Sequence, residues 1–115
     1  MTRPDLPRLQ RLAELAFDKS RAALTEAAQK AQTSRDALAR LDLAPTRDRD
    51  DLALLQQEMV YDRWAESRRA EINLIYAGQR AELLLATEAA RREFGRLQAI
   101  SRLVDRTASR RGGGI

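Results

Sequence analysis

Neither cysteine nor histidine occurs in this 115-residue chain. Disulfides, thiolate or imidazole metal sites, and the commonest nucleophiles and general bases are thereby excluded. Aromatic residues make up only 4% of the sequence, which argues against a compact globule with a large core. Hydrophobic runs are short, the longest purely aliphatic one being Leu83 to Ala86. A membrane-spanning helix needs about 20 apolar residues. Met1 to Arg11 alternates charge, Pro and Leu with no apolar core, so no secretory leader is expected. Glycine-rich phosphate loops are missing as well, because Gly78 and Gly95 stand singly within helical sequence. These absences lead to the expectation of a soluble, cytoplasmic protein that is not an enzyme and needs no cofactor.

What is present is helix-forming. Charged residues reach 33%, and Ala, Leu, Arg, Glu and Gln dominate while β-branched residues are few. Such a composition predicts an all-α chain of long helices or coiled coil. Only Lys19 and Lys30 are lysines, so 19 of the 21 basic residues are Arg. Proline marks the boundaries. Asp5 is placed to cap a first helix over about 5–41, with Pro7 in its first turn. Pro45 stops that helix, giving a turn at 42–46. Thr46 then caps a second helix over about 47–109, with Asp48 and Asp50 favourably placed against its dipole. A single domain over 1–109 is expected, followed by a flexible tail at 110–115.

Seven-residue spacing runs through the first helix. One row is Phe17, Leu24, Ala31 and Leu38, and the other is Leu6, Ala13, Ser20, Ala27, Ser34 and Leu41. These are the two seam positions of a heptad repeat, and their small residues predict a narrow pairing. In the second helix Ala53, Val60, Ser67, Leu74 and Ala81 form one row, with Ala70, Ala77 and Leu84 beside it. Arg63 interrupts that second row, and further on the seam shifts to Ala90, Phe94, Leu97, Ser101 and Val104. A short link between such helices makes them antiparallel neighbours, the second longer. Reversal near Ala44 and Pro45 makes paired residue numbers sum to about 90, with Leu6 opposite Leu84. Everything after about Ala86 would then project beyond the first helix, carrying the apolar stripe Phe94, Leu97, Ile100, Leu103 and Val104.

Charge divides along the chain. Residues 1–40 hold eight basic and five acidic side chains, a net of +3. Residues 41–90 hold six and ten, a net of −4, and residues 91–115 hold seven and two, a net of +5. An acidic turn and a basic terminal end suit docking into an acidic partner. Seven Arg between Arg91 and Arg111 could instead neutralise phosphates. The accompanying apolar stripe, with Phe94 as its lone aromatic, argues against nucleic acid. Glu58, Asp62 and Glu66 recur every four residues, but di-metal bundles also require His, so this is a solvated acidic stripe. Tyr61, Trp64 and Arg68 share a helical face and are residue types enriched at binding hot spots. Asn73 beside Leu74 is a candidate for fixing register.

Two stretches carry a resemblance. Trp64-Ala65-Glu66-Ser67-Arg68-Arg69 leads into Ile72-Asn73, and Phe94-Gly95-Arg96-Leu97 is followed by spaced leucines. Over about residues 6–106 the chain resembles the FliJ family of flagellar type III export proteins and their injectisome counterparts. The resemblance implies an antiparallel coiled coil that acts as the central stalk of a hexameric export ATPase. It also implies contact with the export gate protein and escort of export chaperones, with no small-molecule substrate. The membrane would be reached only through the export apparatus. Carried over to matching positions, Phe94, Arg96, Leu97, Ile100 and Leu103, with Leu6 and Leu9, would form the ATPase-binding end. Tyr61, Trp64, Arg68 and Asn73 would lie on a shaft where other export components dock. The alternatives are a generic coiled-coil scaffold or chaperone, or a basic nucleic-acid-binding hairpin.

Overall fold

A computed structural model describes residues 5–42 and 52–112. Two helices account for nearly all of them: α1, Leu6–Asp42, and α2, Leu52–Gly112, with no strand among the described residues. The fold is the expected all-α antiparallel hairpin with the second helix longer. Asp5 caps α1 as its position predicts, its carboxylate accepting from the backbone N–H of Arg8 at 3.3 Å. The Asp5 carbonyl accepts the first intrahelical bond, from Leu9 N–H at 3.0 Å. Pro45, Thr46, Asp48 and Asp50 lie outside the described residues, as do 113–115 of the tail. α2 runs three residues past its expected end.

Both rows named for α1 face inward. Every one of their residues is buried or half-buried, and apart from Gln10 and Ala37 the other described residues of α1 are exposed. Gln10 extends the first row by one heptad. The chain packs as two compact units, residues 28–82 and residues 1–27 with 83–115. In the first, Leu41, Ala65 and Ile72 form a small core on which Ala37, Leu38 and Tyr61 pack. Arg69 closes on Asp42 at 3.0 Å, and the buried Ser34 hydroxyl donates to the Gln79 side-chain carbonyl. In the second unit the rings of Phe17 and Phe94 lie 5.3 Å apart, tilted by 42°. The Gln10 amide donates to the Ser101 hydroxyl at 3.1 Å. In each unit the numbers on one helix fall as those on the other rise, so the helices are antiparallel.

These pairs correct the expected register. Asp42 with Arg69, Phe17 with Phe94, and Gln10 with Ser101 each sum to 111, and Ser34 with Gln79 to 113. A sum near 90 is excluded, and α2 does not project past α1 after Ala86. By the same register α1 ends facing Arg69, so no residue of α1 lies opposite 52–60. The inner row of α2 is Ile72, Tyr76, Gln79, Leu83, Ala86 and Ala90, continuing through Glu93, Leu97, Ile100 and Val104. Val60, Leu74 and Leu84, with the Ala and Ser residues of their rows, are exposed. The physical reason is that α2 carries two apolar rows and α1 can cover only one. Placing Gln79 inside gives Ser34 a partner, and an unpartnered buried hydroxyl costs about 1–3 kcal/mol. Asn73, expected to fix the register, is exposed; the Ser34–Gln79 and Gln10–Ser101 pairs occupy the seam instead.

Candidate protein-binding surfaces

The unit formed by residues 1–27 and 83–115 holds all seven residues assigned to an ATPase-binding end. Heptad spacing turns Leu6 inward on α1 and Leu97 and Ile100 inward on α2, where all three are half-buried. Phe94 is 45% exposed even though its ring meets Phe17. The guanidinium of Arg21 lies 5.6 Å from the centre of the Phe17 ring, a cation–π distance. Arg96 pairs with Glu93 at 3.1 Å, so its charge is partly answered within α2. Leu9 and Leu103 stand exposed. They are joined there by Leu12 and Leu15, which no reading of the seam singled out. The signal for them was available: in a clean heptad, a leucine off both rows faces outward.

The residues assigned to the shaft divide. Tyr61 is half-buried and packs on the Leu41, Ala65 and Ile72 core. Trp64 is 55% exposed, its ring 5.8 Å from that of Tyr61. Arg68 is exposed and bonded to Glu71 at 3.0 Å, and Asn73 is exposed. Helical spacing thus brings Tyr61 and Trp64 together but sends one to the core and the other to the surface. The exposed row of α2 runs past Trp64 on its outer side: Val60, Ser67, Ala70, Leu74, Ala77 and Ala81, with Leu74 78% exposed.

Glu58 is half-buried and Asp62 and Glu66 are exposed. Among the described residues no cluster of three or more acidic side chains could hold a metal ion. No described helix is long and apolar enough to cross a membrane. No buried side-chain nitrogen or oxygen among the described residues lacks a hydrogen-bond partner. The polar groups inside are therefore satisfied by the fold itself. Many large apolar side chains of the described residues stand on the surface. No family model, curated protein or solved structure matches the chain. Surface chemistry alone carries the functional reading.

Proposed function

We propose that this chain is a non-enzymatic, protein-binding helical hairpin of a flagellar type III export apparatus, serving as the stalk of a hexameric export ATPase. The single observation that supports this reading is a set of exposed leucines, Leu9, Leu12, Leu15 and Leu103, on a paired, Arg-rich two-helix unit. Arg8, Arg11, Arg102 and Arg106 lie beside them in sequence. Exposed apolar groups ringed by charge favour a protein partner of opposite sign. The binding surface is the outside of a paired end, and not the single-helix projection expected from spacing. Export gate proteins and chaperones would be further partners, with Trp64 and Arg68 the exposed members of the shaft set. The protein would work in the cytoplasm and at the periphery of the basal body.

The test is binding of the full chain to a purified hexameric export ATPase. Replacing Leu9 and Leu103 together by Ala should weaken binding about 30-fold or more, given hot-spot costs of about 2 kcal/mol, while helicity is retained. Unchanged affinity in that double variant would move the site elsewhere, and no binding by the unaltered chain would end the reading.

A further inference from the structure

The outer face of α2 has the spacing of a second coiled-coil seam. Ser67, Ala70, Leu74, Ala77 and Ala81 follow one another at alternating intervals of three and four residues, and all are exposed. These residues lie within the 28–82 unit, on the side of α2 turned away from its inner row Ile72, Tyr76 and Gln79. A seam of this kind is the contact surface of another helix, and its small residues admit a close one.

The flanking residues indicate which helix. One edge carries Glu66, Asn73 and Arg80, seven residues apart, and the other carries Trp64, Glu71 and Gly78. Two copies of this segment laid antiparallel about a two-fold axis near residue 72 place Leu74 of one over Ala70 of the other. Ser67 and Ala77 are paired in the same way. On the first edge Glu66 meets the second copy's Arg80 at both ends, with the two Asn73 side chains between them. Opposite charges at these flanking positions set partner and orientation in coiled coils. On the second edge Trp64 falls beside the second copy's Gly78. A Cβ added at Gly78 would meet nothing within 4 Å in the single chain, so its own fold leaves that space open for a bulky side chain. The two Glu71 side chains approach one another on the axis, and each is already paired with its own Arg68 at 3.0 Å. In a parallel arrangement Glu66 would instead face Glu71, which is repulsive.

We infer that the outer row of α2 is a self-complementary surface on which a second copy of this chain docks antiparallel, forming a two-fold dimer. The inference stands on the 28–82 unit and is independent of the ATPase reading.

Sedimentation equilibrium on the full chain, from micromolar to millimolar concentration, tests it. The expected result is a monomer–dimer equilibrium weakened by salt. Leu74→Asp should leave only monomer with helicity unchanged; should it lose helicity, Ala77→Arg on the same exposed row serves the same purpose. Glu66→Arg should weaken dimerisation about tenfold or more, since it sets Arg against Arg twice. Adding Arg80→Glu to Glu66→Arg should restore it, because the pair is reversed and not removed. A chain monomeric throughout the range, or a dimer indifferent to the outer-row variants, would overturn the inference. A double swap as weak as the single one would overturn it equally.

Discussion

The two helices are built for different numbers of neighbours. α1 turns one narrow face of two rows inward, with Ala27, Ala31, Ser34 and Leu41 buried on it, and most of the rest of its surface is polar or Ala. α2 carries apolar residues on opposite sides: Ile72, Tyr76 and Leu83 toward α1, and Val60, Leu74 and Ala77 toward solvent. A helix apolar on two faces loses stability unless both are covered, because exposed apolar surface forgoes about 25 cal/mol per Å². The difference assigns the helices separate tasks within the 28–82 unit. α1 completes the hairpin, and α2 both completes it and offers a second surface.

Substitutions two residues apart on α2 give the largest contrast. Ile72 is 6% exposed and belongs to the core with Leu41 and Ala65, whereas Leu74 is 78% exposed. Ile72→Ala should cost about 2–4 kcal/mol, by lost transfer energy and the cavity left behind. Leu74→Ala should change the stability of the monomer by less than about 0.5 kcal/mol. Urea unfolding followed by circular dichroism, at a concentration where the chain is monomeric, measures both. Equal losses at the two positions would mean that α2 does not distinguish its faces.

A smaller contrast is expected on α1. Ala31 is 4% exposed, among the most buried residues of the chain, while Ala28 three positions earlier is exposed. A leucine at the buried position 31 would have to force three further side-chain carbons into the seam, so Ala31→Leu should cost about 1–3 kcal/mol through overpacking. Ala28→Leu should be close to neutral, both residues being good helix formers. A stabilising Ala31→Leu would show that the seam is wider than its small residues indicate.

How much of this was legible in the sequence differs helix by helix, for the same physical reason. In α1 only one set of positions has heptad spacing, so its rows, the Asp5 cap and the end near Leu41 all follow from residue order. In α2 two sets compete. The set that spacing favours contains Leu74 and several alanines, while the set that is buried includes Gln79 and Glu93, which look like surface residues until their partners are known. Gln79 accepts from Ser34, and Glu93 is half-buried against Arg96. Pattern within one helix cannot supply a partner on another, so the register lay beyond the sequence. Beyond Ala90 the two sets nearly coincide: Ala90, Leu97, Ser101 and Val104 were read correctly, whereas Phe94 is exposed and Glu93 is half-buried in its place. The exposed face at Trp64 was legible only in part, since its neighbour Tyr61 shares the spacing yet turns inward.

The smallest effects expected come from the two glycines inside α2, and they separate its inner pairing from its outer surface. Gly78 and Gly95 both lie in helix, and a Cβ added at either would meet nothing within 4 Å. Glycine in a helix interior is about 1 kcal/mol less favourable than Ala, chiefly because the unfolded chain gains more freedom. Gly95→Ala and Gly78→Ala should therefore each stabilise the monomer by about 0.5–1 kcal/mol, a rise in Tm of several degrees for a chain of this size. They should part company in association. Gly95 is remote in sequence from the outer row at 67–81, so its replacement should leave dimerisation unchanged. Gly78 lies on the edge of that row, where the docked copy's Trp64 would occupy the space a methyl group takes. Gly78→Ala should thus raise Tm at low concentration while weakening dimerisation several-fold in sedimentation equilibrium. If both variants raised Tm and neither altered association, Trp64 would not be seated at Gly78, and the antiparallel register about residue 72 would have to be replaced by another.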